Sequence, residues 1–403
     1  MNEPSAPTLG AAQFRIRAVR PAAYARTRNA LDGAVSGLSP YITHGFVSLS
    51  NVLSGVASHQ TIDVQDKFVF ELGWRAFFRH VWQHRGNTIL RSLHEGPLPD
   101  HAYARELPTD IRQGCTGVPV IDEAVRTLYA TGMLHNHARM WLASYVVHVR
   151  KVHWRAGADW LYGHLLDGDL ASNHLSWQWV AGTGSSKPYL FNAENVARVA
   201  PASWHSPGSV IDTSYEELDD MARRPSPKLQ YKRDATRDAS PRVEPGLGAD
   251  PPADLGVTAP DAAAVAGRDV WLVHPWSLGT LSAQLPADTV VIGVFVADFH
   301  RAWLWSDQRW RFVGSRMAEL APQRWFGDSA TIGAALTGAR RVRSIDEPHL
   351  APWLARWSDC KAAPALFPAV DRRCDSFSQW WTRATRNLES VDDLLAVNEA
   401  AAQ

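Results

Sequence analysis

Four short segments of this sequence hold side chains that could do chemistry: SGLSPYITHG at 36–45, ELGWRAFFRH at 71–80, TGMLHNHARMW at 131–141 and LLDGDLASNHLSWQW at 165–179. If 169–179 is helical, Asp169, Asn173 and Trp177 fall at i, i+4 and i+8 and share one face. A carboxylate, an amide and an indole in a row make a poor core stripe. They suit a flat heteroaromatic ligand that needs hydrogen bonds at its edge. Asn136 and Met140 lie one helical turn apart with Arg139 beside Met140, and Glu71 shares a face with Trp74, Arg75 and Phe78. Any one such polar residue on a helix is more often solvated than ligating; the weight lies in the four segments together.

Other patterns drop out on chemistry. GTGSSKP at 182–188 is superficially like a phosphate-binding loop, but the Gly before Lys187 is missing and Pro188 replaces Ser or Thr. DGDLASN lacks the Gly and the terminal Glu of a calcium loop. His135 and His137 at i, i+2 on a helix point apart, so no metal site is expected. Cys115, Cys360 and Cys374 are odd in number and form no CxxC pair, which excludes a disulfide framework and a four-cysteine cluster.

The elements that must position these residues are helices. Residues 63–85 carry Phe70, Trp74, Phe77, Phe78 and Val81 close to a 3.6 period, and 119–129 and 134–149 repeat the pattern with Gly132 as a stop between them. Residues 1–207 therefore read as mainly α. From 208 to 267 Asp, Pro, Ala and Gly dominate, with PSP, ASP and ADPPAD as punctuation, which reads as a linker. Residues 268–403 read as a small α/β domain: 270–274 and 290–296 suit strands buried on both faces, a helix is expected near 309–320, and the tail from 376 to 399 reads as helical. The 403 residues agree with more than one core.

Net charge is zero, with 41 basic and 41 acidic residues, which argues against a strongly basic nucleic-acid binder. The first 206 residues nonetheless hold 19 of the 41 Lys and Arg against 15 Asp and Glu, and 13 of the 16 His, which is compatible with contact to phosphates. No basic n-region with an apolar run opens the chain, and no 18-residue apolar stretch occurs, so a cytoplasmic protein with no membrane partner is expected. A monomer is expected as well. Large aromatics usually fill cores, and most of the 18 Trp should do so.

Taken together, LSPY, the ExxWRxFxRH block, TGVPVID at 116–122 and the DGDxAxNxxxWQW block resemble the FAD-binding domain of DNA photolyases and cryptochromes, from about Tyr24 to Asn192. The resemblance implies an all-helical domain with FAD as cofactor. Tyr24, Ser36, Leu38 and Ser39 match positions that hold the diphosphate and ribityl portion, and backbone amides after a Gly-containing turn at a helix start are a natural anion site. Arg139, Asp167 and Asp169 match residues around the isoalloxazine and adenine of a folded FAD, and Asn173 the residue facing flavin N5. Glu71, Trp74, Asn136, Met140 and Trp179 match the pocket for a flipped cyclobutane pyrimidine dimer, with Arg28 and Arg75 as phosphate contacts. Enzymes for (6-4) photoproducts have His where this chain has Asn136 and Met140, which leans towards the cyclobutane dimer. Trp177 and Trp154 match the first two members of the tryptophan chain that photoreduces the flavin; the third position falls on His101, a poor hole carrier, which leaves Tyr103, another Trp such as Trp82, or no terminal relay as the alternatives.

The expected function is blue-light-driven repair of dimers in DNA, with Glu71, Asn173, Trp177 and Trp154 as the residues of the chemistry. The alternatives are a cryptochrome-like photoreceptor without repair and a relic that binds no flavin. In the family an α/β antenna-binding domain precedes the helical one. Here the stretches DVWLVHP, VIGVFVAD and WSDQRWRFVGSRMAEL resemble parts of that domain, so a reordered or truncated antenna-like domain is expected to follow, its pigment unidentified.

Overall fold

The computed structural model describes residues 5–225 and 240–402, with side chains described to residue 396. Helix ends follow the local chemistry. Lys67–Arg85 starts four residues later than the apolar period implies, because the 63–66 stretch closes a turn in which Asp66 Oδ2 accepts from Asp63 N (2.9 Å). Pro119 opens Pro119–Thr131, where its missing N–H costs nothing, and Gly132 ends it at φ 64°. Asn136–Ser144 runs into one wider turn, Tyr145–Val149, all five residues buried. Trp154–His164 and Leu170–Ala181 complete the helices that surround the candidate residues, and Asp169 caps the last one through Ser172 N (2.8 Å).

Within the Pro- and Ala-rich stretch from 208 to 267, a short helix forms at Tyr215–Arg223, and Leu247–Gly248 pairs antiparallel with Trp305–Ser306. Glu244 accepts from Trp160 Nε1 (2.9 Å) and from Arg112 (2.8 Å), which ties this stretch to the helical half. Its described parts are therefore packed onto the protein, a role that composition does not reveal; residues 226–239, including parts of the PSP and ASP punctuation, lie outside the described residues.

The second half holds a five-stranded sheet, all parallel, in the order Gln323–Gly327, Val290–Val296, Asp269–Val273, Arg341–Ile345, Asp359–Lys361. The first two strands in sequence are the apolar runs expected to be strands. The other three escape a search for apolar runs because Arg324, Arg341, Arg343, Asp359 and Lys361 interrupt them. The tail forms two helices, Phe377–Ala384 and Val391–Ala402, broken where Asn387 takes φ 64°.

One apolar cluster runs through both halves, from Leu38, Tyr41, Phe46 and Leu166 to Trp276, Trp305 and Phe312. A second, formed by residues between Leu98 and Ile211, belongs to the helical half. Backbone bonds stitch the junction: Leu278 N donates to His44 O (3.0 Å), and Gly45, at φ 67°, is so close to the Trp276 carbonyl that a Cβ would overlap it. The floor beneath the candidate site is thus built from both halves.

Candidate functional site

A cavity of about 370 Å³ opens between the Lys67–Arg85, Asn136–Ser144 and Leu170–Ala181 helices and the turn at 35–39. The expected residues Tyr24, Arg28, Ser36, Leu38, Ser39, Glu71, Trp74, Arg75, Asn136, Arg139, Met140, Asp167, Asn173 and Trp177 all line it. Trp154, Asp169 and Trp179 do not. Ser172, Ser176, His135 and His137 line it as well, and the sequence reading missed them; their signal was proximity in sequence to residues already chosen.

Asp169 corrects the expectation of a three-residue row. Asn173 and Trp177 face the cavity, but Asp169 is the N-cap, with φ −126° and ψ 130°, so the helical 100° step does not reach it. Its carboxylate curls onto Ser172 N and sits 3.2 Å from Arg79 Nη2 and 3.9 Å from His349 Nε2. Burial alone would raise its pKa; Arg79, His349 and Arg75 outweigh that and hold it well below the usual carboxylate range. Asp169 therefore fixes the start of the helix that carries Asn173 and Trp177, from beneath the cavity.

Asp167 is the carboxylate that faces the cavity. Arg139 Nη2 lies 2.9 Å from both of its oxygens, and Arg139 Nε donates to Leu134 O (2.8 Å). Against the raising effect of burial, Arg139 and a hydrogen bond from Ser39 keep Asp167 ionised at lower pH than usual. Asn173 Nδ2 donates to Ala158 O (2.8 Å), so the carboxamide oxygen is the end it offers the cavity. Trp177 is 2% exposed and packs on Gly157, where a Cβ would overlap its six-membered ring. Trp154, one turn before Gly157 on the same helix, is buried and donates from Nε1 to Ser92 Oγ (3.0 Å).

At the other end, Glu71 sits between Arg28 (3.4 Å) and Lys67 (3.5 Å). Arg75, expected as a phosphate contact, lines the cavity and donates to Thr43 Oγ1 (2.9 Å), which adds positive charge there. Trp74 stacks on Phe377 with centroids 4.1 Å apart and planes 13° from parallel, a contact from the tail that the sequence does not announce. Trp179 is 43% exposed and tilts against Tyr189, outside the cavity. His101 is exposed, whereas Tyr103 is buried and reaches Trp154 through His153, at 6.3 and 5.6 Å between ring centroids.

These residues fit a flavin dinucleotide. Three cations line the cavity (Arg28, Arg75, Arg139) against two anions (Glu71, Asp167), which leaves room for a diphosphate's charge. A carboxamide oxygen and an indole ring flank the space where a flat ring would lie, and the volume is in the range of ligand pockets.

Residues 68–224 match the family described as the FAD binding domain of DNA photolyase. Over this region the chain is similar to the photolyase/cryptochrome family. The chloroplastic/mitochondrial cryptochrome DASH of Ostreococcus tauri is 32% identical over 232 residues, 56% of this chain and 41% of that protein. The deoxyribodipyrimidine photo-lyase of Streptomyces griseus is 36% identical over 159 residues, 38% of this chain and 33% of that enzyme. The chain thus spans less than half the length of either relative. The crystal structure of the Synechocystis sp. PCC6803 cryptochrome overlaps 47% of this chain and 43% of its own, at 29% identity and a TM-score of 0.42. FAD is the cofactor of this photolyase/cryptochrome domain. Tyr24, Arg28 and the 35–39 turn precede the matched residues yet line the same cavity, so the candidate site draws on chain outside the family match.

Proposed function

We propose that this photolyase/cryptochrome family member repairs cyclobutane pyrimidine dimers in DNA under blue light. The observation that carries the reading is that Glu71, Trp74, Asn136 and Met140 line the same cavity as Asp167, Asn173 and Trp177, so a dimer and a flavin ring would meet with no wall between them. When bound, FAD supplies a light-excitable electron donor that regains its electron after the cyclobutane bonds open. The chain's residues do the rest. Trp74 offers one ring face to a base, the other being held by Phe377. Glu71 accepts hydrogen bonds from the flipped bases, with its charge held by Arg28 and Lys67. The exposed Trp179 offers a stacking surface outside the cavity, and Arg28 a phosphate contact at its mouth. Trp177 and Trp154 form the path by which the flavin is photoreduced, with Tyr103 as its end.

The sheet-bearing half supports a second part of the reading, an antenna-like domain in altered order. A cavity of about 1180 Å³ lies where the C-terminal ends of the Asp269–Val273 and Arg341–Ile345 strands face the helical half, at the point where the strand order reverses. The alternative, light sensing without repair, is favoured by the Phe377 contact, which narrows access to Trp74. The experiment is a repair assay on dimer-containing single- and double-stranded DNA with chemically reduced, FAD-loaded protein. Dimers lost in blue light and retained in the dark support repair. Dimers retained under both conditions, with flavin bound, leave the sensor.

A further inference from the structure

Arg309 stands out among the buried polar groups. It is fully buried on the Asp307–Leu320 helix of the sheet-bearing half, and it reaches into the helical half. Nη1 donates to Tyr162 O (2.9 Å) and Nη2 to Gly168 O (2.5 Å). Its guanidinium lies 4.1 Å from the Trp305 ring centroid and 4.6 Å from that of Tyr162. Among the described residues no carboxylate comes within ion-pair distance of it, an expensive arrangement for a buried cation. Two carbonyls, two aromatic faces and the longer-range fields of Asp167 and Asp169 compensate its charge instead.

The Gly168 turn is moulded around this group. A Cβ at Gly168 would lie 2.5 Å from both Arg309 Nη1 and Tyr162 O, so the turn has no room for a side chain. On one side of Gly168, Asp167 lines the flavin cavity and grips Arg139. On the other, Asp169 caps the helix of Asn173 and Trp177. A second tie comes from the same half: Leu170 N donates to His349 Nε2 (3.4 Å), and His349 stacks on Trp276 at 4.2 Å. Its Nδ1 is 2.5 Å from Glu347, which pairs with Arg79 (2.6 Å), the partner of Asp169.

We propose that Arg309 is a positioning residue for the flavin site, holding the Asp167–Asp169 turn from the sheet-bearing half so that this half completes the FAD pocket. The proposal rests on the reading that FAD occupies the 370 Å³ cavity. It differs from a general role in stability because the group acts on one turn, whose two neighbours face or carry the cavity wall.

The test uses the full chain with Arg309→Met, Arg309→Lys and, as a control on the same helix, Arg311→Met; Arg311 is exposed and pairs with Asp254 and Asp307. FAD affinity is read by fluorescence titration, the flavin environment by the band structure of bound FAD, and folding by circular dichroism and thermal unfolding. Arg309→Met is expected to weaken FAD binding by about tenfold or more, the low end of what is lost when the support of a ligand-holding residue is removed. The bound-flavin bands should shift as well. Lysine can reach one carbonyl but cannot span two, so Arg309→Lys should fall between, and Arg311→Met should match the wild type. Folded Arg309→Met with unchanged affinity and bands overturns the proposal. Should Arg309→Met fail to fold, Arg309→Lys decides on the same two readouts, unchanged values overturning and intermediate ones supporting. Wild-type protein that takes up no FAD would overturn the flavin reading first and this one with it.

Discussion

Gly157→Ala places a methyl group where the Trp177 ring now lies, since a Cβ at Gly157 would overlap the ring's outer carbons. Two opposing effects set the magnitude. Alanine in a helix interior gains about 1 kcal/mol over glycine. Overpacking a buried contact costs about 1–3 kcal/mol. Trp177 is 2% exposed and cannot move into solvent, so the ring must shift towards the cavity that it lines. Net destabilisation should therefore be modest, about 0–2 kcal/mol, while the flavin site takes most of the disturbance. If only about 1.4 kcal/mol of the misfit is expressed at the cavity, FAD affinity falls tenfold. The assay is thermal unfolding of the apoprotein together with FAD titration of the same preparation. A variant that is more stable by the full helix-propensity gain, and that binds FAD as tightly as the wild type, would refute the packing argument.

Trp177→Phe should block photoreduction of oxidised flavin and preserve repair by chemically reduced protein; loss of both activities would contradict the role assigned to the ring. Glu71→Ala should lower dimer-repair yield several-fold under saturating light, and an unchanged yield would mean that the dimer does not meet this carboxylate. Asp167→Ala leaves the partly exposed Arg139 beside the cavity without its carboxylate and should destabilise the chain; an apoprotein melting temperature equal to the wild type's would contradict this. Stability should also fall with acid. Burial lowers the pKa of His44 to about 3, with Arg309 adding to the effect, and burial likewise lowers His148 and His135 to about 4. These groups stay neutral in the folded chain while their unfolded counterparts protonate near pH 6.5, so the folded state loses ground as pH falls from there towards 4. Melting temperatures that stay flat between pH 7 and pH 5 would contradict it.

The helical half is legible in sequence because its chemistry is local. Period, Pro119, Gly132 and the polar rows on three helices follow from spacing alone, and the cavity collects most of the residues so chosen. Asp169 is the instructive exception: one residue outside the helix, it obeys capping geometry and turns beneath the site. What spacing cannot carry is contact between distant segments. Phe377 on Trp74, Arg309 under Gly168 and His349 at Leu170 join residues about 140 to 300 positions apart, and each looks unremarkable in its own stretch. The three charged strands were illegible for a related reason. Gln323–Gly327 and Arg341–Ile345 take their hydrogen bonds from the apolar strands beside them, and Asp359–Lys361 takes its own from Arg341–Ile345 at the sheet edge, so their side chains are free to be polar.

The central claim is that one cavity, walled by Asp167, Asn173 and Trp177, receives the flavin. Equilibrium titration of the apoprotein with FAD, following flavin fluorescence, tests it most directly when run beside Asn173→Leu. Saturation at one FAD per chain with strong quenching by the adjacent indole is expected, with markedly weaker binding for the variant. Equal affinity in both proteins, or binding in neither, would contradict it.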